Sequence, residues 1–367
     1  MRRVDIQSGE TVESSNVVKP HRDSNLELFR IILMLAIIAY HYCCNSGLNS
    51  VLEQYPDSDR RLAATLFGAW GKVGIDCFVM ITGYFMCKSH ITLEKFLKLL
   101  LEVLVYGVVI GVVFCLSGYV PLNIAALVDL FLPLKRMAKN FTICFLFFFL
   151  CIPFLNIVLN NINRRMHGGL LLLLLLFYTV IPSCRWAWRI DFDYISWFCV
   201  VYMLAAYIRI YPGKWSEGAA KWGAISLVVL TLSAVSVLIT RSHFYLADSN
   251  KILAVAVAVS LFLFFKNLRM SYNPIVNWIA QSIFGVLLIH EHSDAMKRWL
   301  WVDTLHVVDM FGSPYFWLHA VCSVFGVFIV GTLIDHLRIM FIERPFFKHF
   351  DSVVQRVGIT ARKYFEA

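Results

Sequence analysis

Two ionisable side chains interrupt an otherwise apolar segment near the start of the chain. Residues 25–44 read NLELFRIILMLAIIAYHYCC, with Arg30 near the beginning and His41 near the end. In an α-helix their separation corresponds to about 16 Å along the axis and only about 20° around it. Ionisable groups inside a membrane helix normally face a protected interior or a water-filled cavity. This shared stripe therefore predicts a cavity that runs along the bilayer normal.

Each of the two residues also has a simpler explanation. Arg30 could extend its side chain to the headgroup region, with no further role. His41 could be hydrogen-bonded to a neighbouring helix near the membrane surface. Their common position on one stripe favours a joint functional role.

A carboxylate in the second apolar segment is the candidate partner of His41. Asp76 lies in GKVGIDCFVMITGYF, residues 71–85. Counted along two antiparallel helices, Asp76 and His41 fall at similar depths in the membrane. A carboxylate beside an imidazole fixes its tautomer and raises its basicity, so Asp76 is predicted to orient His41. The alternative is an ion pair between Asp76 and Lys72, one turn away on the same helix.

Basic residues follow this second segment. Lys95 and Lys98 are three positions apart at the start of a predicted helix and therefore share one of its faces. Together with Arg30 they could form an anion site for the phosphates of a coenzyme. The alternative is an ordinary basic loop.

A further polar group lies near the C-terminal end of the ninth apolar segment. His290 and Glu291 are followed directly by His292. This spacing does not place two histidines four residues apart on one helix face, so no metal site is predicted. His290 and Glu291 are instead expected to line the outer mouth of a substrate cleft.

The composition defines the class of protein that must position these residues. Of the 367 residues, 59% are hydrophobic and only 16% are charged. Soluble domains carry about a quarter charged residues, so the chain is predicted to be a multi-pass membrane protein in contact with the lipid bilayer. The net charge of +9 is spread over short clusters between apolar runs. No nucleic-acid partner is therefore expected.

The apolar runs predict an all-α fold, a polytopic transmembrane helical bundle of about ten spans. More Lys and Arg residues fall on the side of the termini, which favours cytoplasmic N- and C-termini. We expect cytoplasmic tails at residues 1–24 and 346–367, flanking one transmembrane domain at 25–345. The ten windows of spanning length are 26–45, 65–87, 96–117, 140–160, 168–183, 194–210, 221–241, 251–267, 275–296 and 314–342.

Four motifs in order make the chain resemble the membrane acyltransferase-3 family, whose members O-acylate bacterial surface glycans and related acceptors. The R-x10-H pattern is met by Arg30 and His41, the ninth-span pattern is echoed by residues 282–290, and the closing E-R-P is residues 343–345. The second-span pattern is met by Gly74, Asp76, Phe78, Thr82, Gly83 and Tyr84.

Two motifs depart from the family pattern. Val79 replaces an aromatic residue, and Lys95 and Lys98 replace the two arginines of an R-x-x-R motif. Lysine supplies charge without the bidentate fork of arginine, which weakens the assignment of Lys95 and Lys98 to the coenzyme.

The resemblance implies an O-acetyltransferase of the bacterial inner (plasma) membrane. Its donor would be acetyl-CoA or another acyl-CoA, with no metal. Its acceptor would be a sugar hydroxyl of a surface or exported polysaccharide, or a lipid-linked sugar, supplied by glycan-assembly machinery. His41 would be the general base or a transient acyl carrier. The alternatives are a glycan transporter or flippase, and a non-catalytic member of the same scaffold.

Overall fold

The computed structural model describes residues 23–55, 58–89, 91–121, 141–184 and 193–350. Within these ranges the backbone forms helices and turns and no β-strand, which confirms the all-α prediction. Most of the predicted tails falls at residues 1–22 and 351–367, outside the described residues.

The helices follow the predicted windows closely. In chain order they are α1 Ser24–Cys44, α2 Leu48–Glu53, α3 Asp59–Gly68, α4 Gly71–Met86, α5 Leu93–Leu116, α6 Phe141–Asn161, α7 Arg164–Leu175, α8 Ile181–Ser183, α9 Tyr194–Ile210, α10 Ala219–Thr240, α11 Ile252–Asn267, α12 Pro274–Ala280, α13 Ile283–His290, α14 Asp294–Lys297, α15 Val307–Met310 and α16 Phe316–Arg338. Short π-helical segments occur at Leu176–Val180, Arg298–Thr304 and Ile339–Glu343.

Several of these helices are long and apolar enough to cross a bilayer. The described residues contain 7 such spans, and three shorter apolar helices occupy the remaining predicted windows. The shorter helices are Tyr194–Ile210, Ile252–Asn267 and Pro274–His290. The count of ten spans and the cytoplasmic termini stay predictions.

Large apolar side chains cover the outer surface of the bundle. Leu116 in α5, Phe154 in α6 and Ile239 in α10 are 83%, 70% and 78% exposed. Helices that are apolar on every face are typical of segments surrounded by lipid, because exposing such surfaces to water costs free energy. The chain is accordingly an integral membrane protein.

Helix α1 lies at the centre of the fold. Its first half contributes Phe29 and Leu33 to one hydrophobic cluster, and its second half contributes Ile38 and Tyr42 to another. It packs against α3, α4, α12 and α16. The helix that carries Arg30 and His41 is therefore the one that joins the two halves of the core.

Two glycines allow α4 to pack closely against α1. A Cβ atom at Gly71 would lie 2.2 Å from the Cβ of Tyr40, and one at Gly74 would lie 2.8 Å from Cγ1 of Ile37. Since residue numbers rise along one helix as they fall along the other, the two helices run antiparallel. These contacts also define which residues of α1 and α4 lie at the same level.

The ninth predicted span is broken rather than continuous. It consists of α12 and α13, separated by Gln281 and Ser282. The amide of Gln281 donates to the carbonyl of Asn277 (3.3 Å), the oxygen that its own backbone N–H would otherwise use. The two backbone N–H groups at the break instead bond three residues back, to Trp278 and Ile279. A side chain that competes for a backbone acceptor thus tightens the turn.

Candidate active site

A cavity follows one face of α1 from Arg30 to His41. Its volume is about 940 Å³, within the range of small-molecule sites. Its walls come from α1, α4, α5, α6 and the broken helix α12–α13. The structure thus places both ionisable residues of the α1 stripe on one cavity.

At one end of the cavity, His41 is bonded to a second histidine. Nδ1 of His41 lies 2.9 Å from Nε2 of His290, whose own Nδ1 lies 2.6 Å from the carbonyl oxygen of Val286. A carbonyl can only accept, so Nδ1 of His290 carries a proton and its Nε2, in the neutral ring, is an acceptor. His41 therefore donates through Nδ1 and keeps the lone pair on Nε2. This tautomer is the one that a general base or a nucleophile on the cavity wall requires.

This arrangement corrects the role predicted for His290. The residue is fully buried and does not line the cavity, whereas it was expected to line a substrate cleft. It lies behind His41 because α13 packs its inward face against α1. His290 orients the imidazole that faces the cavity.

Glu291 does line the cavity, and three groups surround its carboxylate. Oε2 accepts from Nδ2 of Asn45 at 2.7 Å and lies 3.5 Å from Nδ1 of His41, while Oε1 is paired with Lys297. The carboxylate is close enough to stabilise a positively charged His41 ring during a proton transfer. Within the described residues, no group of three or more His, Cys, Asp or Glu side chains could hold a metal ion.

Asp76 is not the partner of His41. It is buried, and its Oδ1 accepts from the indole N–H of Trp197 at 2.8 Å. The glycine contacts place residue 76 level with residue 35 of α1, about 9 Å from the level of His41. Asp76 also follows Gly74 by two residues, so it points about 200° away from the face that packs on α1. The alternative pair with Lys72 is not formed either, because Lys72 lies against Tyr194 and Asp248.

At the other end of the cavity, three cations line the wall. They are Arg30, Lys95 and Lys98, the residues predicted to hold coenzyme phosphates. Arg30 lies 3.5 Å from Oε2 of Glu27, and Lys95 donates to the hydroxyl of Ser89 at 2.9 Å. Lys98 pairs with Oε1 of Glu343 at 2.5 Å. The structure brings the three cations to one site but does not by itself assign them a ligand.

The wall between the two ends is mainly apolar. Its lining there includes Met34 and Ile37 on α1 and Ile75 and Phe78 on the adjacent helix α4. A charged group would be poorly accommodated there, whereas an extended, weakly polar arm would fit between the polar ends.

Comparison with known proteins identifies the family of the chain. A family model described as an acyltransferase domain matches residues 23–336. The chain belongs to the acyltransferase-3 family. Comparisons with curated proteins and with solved structures find no significant match. The resemblance proposed from four short motifs is therefore confirmed, and it supports acyltransferase activity in general.

One end of the cavity is bordered by residues beyond the matched range. Arg338 is 4% exposed and contacts three carboxylates: Asp335 (2.7 Å), Glu343 (2.7 Å) and Glu102 (3.2 Å). Glu102 lines the cavity, and Glu343 also holds Lys98. Two cations and three carboxylates thus tie the last helix to α5 beside the Arg30 end.

The sequence patterns include Glu343 only as part of the closing E-R-P motif, and they do not single out Arg338, Glu102 or Asp335. A local signal was present, since two acidic residues flank Arg338 within one and a half turns. Glu102, however, is more than two hundred positions away in the chain. Only the folded structure brings it to Arg338.

Proposed function

We propose that the protein is a membrane O-acetyltransferase that moves an acetyl group from acetyl-CoA to a sugar hydroxyl. The observation that carries the proposal is a single cavity with a cluster of cations at one end and an imidazole of defined tautomer at the other. The acyltransferase-3 family supplies the general reaction. The donor and the acceptor are part of the proposal.

The cations at the Arg30 end suit the phosphates of coenzyme A. Arg30 offers a guanidinium fork, and Lys95 and Lys98 add two ammonium groups on the facing helix α5. The pantetheine arm is long and weakly polar, which suits the apolar wall between the two ends. Its thioester would then reach the level of His41.

The chemistry at His41 follows from its tautomer. Nε2 takes the proton of the sugar hydroxyl as the oxygen attacks the thioester carbonyl carbon. The C–S bond then breaks, and Nε2 returns the proton to the departing thiolate. His290 holds Nδ1–H throughout, and Glu291 stabilises the transient imidazolium. The same lone pair would also suit the acyl-carrier alternative, in which Nε2 itself is acetylated before transfer.

We place the Arg30 end on the cytoplasmic side and the His41 end toward the outer side of an inner (plasma) membrane. Cytoplasmic acetyl-CoA would then serve an acceptor glycan, or lipid-linked sugar, that is exported or already outside. Glycan-assembly machinery is the partner that would deliver this acceptor. The excess of basic residues on the side of the termini supports this orientation.

A transporter or flippase is the second candidate, and the break between α12 and α13 favours it. Discontinuous helices at a binding site are common in secondary transporters. Within the described residues, however, the break has no counterpart in a second repeat. The two candidates differ in chemistry, since a transporter leaves its cargo unchanged.

The deciding experiment measures thiol release from acetyl-CoA. Membranes from producing cells, which carry the natural acceptor, are supplied with acetyl-CoA labelled in the acetyl group. We expect release of CoA thiol and incorporation of label into glycan or lipid-linked sugar, both lost in His41→Ala at equal protein abundance. Equal thiol release with and without the protein would contradict the proposal and favour a transporter or a non-catalytic member.

A further inference from the structure

A lysine on the cavity wall at the His41 end has no role in the scheme above. Lys72 is in the first turn of α4 and lines the cavity together with Tyr40 and His41. The Gly71–Tyr40 and Gly74–Ile37 contacts place residue 72 level with residue 39, about 3 Å from the level of His41. Lys72 and His41 therefore lie on two different helices at the same end of the cavity.

The ammonium group of Lys72 is held in place by aromatic residues. Its Nζ donates to the hydroxyl of Tyr194 at 2.6 Å. It also lies 5.3 Å from the ring centre of Tyr194 and 5.8 Å from that of Tyr40. These contacts involve α1 and α9 as well as α4. The cation is thus positioned by three helices before any substrate binds.

The charge of Lys72 is only loosely neutralised. Lys72 pairs with Asp248, whose Oδ1 lies 3.7 Å from Nζ and whose side chain is 42% exposed, and Asp76 lies one turn away on the same helix. An ammonium group has three N–H donors, of which one is used by Tyr194. A partly buried cation with remaining donors acts strongly on negative charge that develops in a low-dielectric cavity.

We propose that Lys72 stabilises the oxyanion formed on the thioester carbonyl during acyl transfer. The inference rests on the proposed function and adds a residue to it. As the acceptor oxygen bonds to the carbonyl carbon, its proton passes to Nε2 of His41, and the carbonyl electron pair moves onto oxygen beside Lys72. When that pair returns, the C–S bond breaks and the thiolate takes the proton back from His41. In this step His41 accepts and returns the proton, and Lys72 stabilises the negative charge on the carbonyl oxygen.

Two other roles for Lys72 compete with this one. Lys72 could bind the acceptor sugar, or it could simply join α4 to α9. An acceptor-binding residue affects transfer to the glycan but not thioester cleavage by water. A purely structural residue affects protein abundance and thermal stability but not the kcat of the folded protein.

The test compares Lys72→Met, Lys72→Gln and Lys72→Arg with Lys251→Met. Lys251 is a matched control, because its Nζ donates to the carbonyl of Pro182 and it does not line the cavity. Thiol release from acetyl-CoA is measured in membranes, where the acceptor is present, and with purified protein, where water is the acceptor. Folding is checked by size-exclusion chromatography and thermal unfolding, and Lys72→Gln is used if Lys72→Met is unstable.

We expect Lys72→Met to lower kcat by about 10²–10³-fold in both assays, with the KM for acetyl-CoA changed less than about threefold. Lys72→Arg should recover part of the rate, and Lys251→Met should match the wild type. A loss confined to the membrane assay, or kcat values within about threefold of the wild type in both, would overturn the inference. A wild-type protein that releases no thiol in either assay would instead refute the proposed function on which it rests.

Discussion

The two ends of the cavity hold their functional side chains by different interactions. At the His41 end, hydrogen bonds run from a backbone carbonyl through His290 to Nδ1 of His41. At the Arg30 end, ion pairs hold Arg30 and Lys98, and Lys98 remains 53% exposed while paired with Glu343. Lys95 at this end donates to the hydroxyl of Ser89. A hydrogen-bonded chain that starts at the backbone has one arrangement, whereas an ion pair near solvent exchanges partners readily.

In the proposed reaction, this difference corresponds to two tasks. Proton transfer requires an imidazole in one tautomer and one orientation, so the His41 end is preorganised before substrate binds. Binding a large anionic donor requires cations that can leave one carboxylate for a phosphate, so the Arg30 end is adjustable. Substitutions at the His41 end should therefore change kcat, and substitutions at the Arg30 end should change the KM for acetyl-CoA.

The largest effect is expected for His41→Ala. Loss of the imidazole that we propose as general base should lower kcat by about 10²–10⁴-fold, the usual contribution of such a group, and leave the KM for acetyl-CoA within about threefold. Steady-state thiol release by purified protein measures both constants. A variant that keeps more than a tenth of the wild-type kcat would remove the distinction between the two ends.

His290→Ala should have the next largest effect, because it leaves Nδ1–H of His41 without its acceptor. A buried hydrogen bond of this kind contributes about 1–3 kcal/mol, so kcat should fall about 10–100-fold with an unchanged KM. His290→Gln supplies an amide oxygen as an alternative acceptor and should recover part of the rate. If His290→Ala and His290→Gln lose activity equally, the result indicates a general packing defect and not the loss of a fixed His41 tautomer.

At the other end, Arg30→Ala should raise the KM for acetyl-CoA about tenfold or more and change kcat little. Lys98→Ala should raise it only about threefold, since an exposed charge contributes about 1 kcal/mol or less. Both effects should shrink at high salt, which screens exposed charges. Lys88→Ala is the control, because Lys88 is in the turn between α4 and α5 but does not line the cavity. A fall in kcat without a rise in KM would contradict the assignment.

The smallest catalytic effect is expected for Asp76→Asn. The amide oxygen of asparagine can still accept from the indole N–H of Trp197, so kcat should stay within about threefold of the wild type. Asp76→Ala, by contrast, leaves that N–H without an acceptor and should destabilise the protein by about 1–3 kcal/mol. Thermal unfolding and kinetics on the same preparations separate the two. A large loss of kcat in a stable Asp76→Asn variant would restore the role predicted from the sequence.

Sequence patterns predict the structural features that depend on the residues of a single helix. The helical repeat alone places Arg30 and His41 on one stripe of α1. Because ionisable side chains exposed to lipid are energetically unfavourable, that stripe is expected to face a cavity. The same reasoning could have placed Asp76 correctly. Gly71 and Gly74 mark the face of α4 that approaches α1, and Asp76 is on the opposite side. Depth along the helix brings Asp76 near His41, whereas rotation around the helix turns it away.

Contacts between distant parts of the chain could not be predicted in this way. His41 and His290 are 249 positions apart, and Glu102 meets Arg338 across a similar distance. Nothing local to His290 distinguishes a cleft residue from a buried partner, because both are polar groups at a helix end. The pairing depends on how α13 packs against α1, which only the folded structure shows.

The most direct test of the account is a cryo-EM structure of the protein with a non-hydrolysable acetyl-CoA analogue, in which a methylene group replaces the thioester sulfur. We predict phosphates beside Arg30, Lys95 and Lys98, a pantetheine arm along the apolar wall, and a carbonyl carbon about 3–4 Å from Nε2 of His41, within reach of an attacking hydroxyl. An analogue bound with its carbonyl outside this cavity, or with its phosphates at the His41 end, would contradict the account.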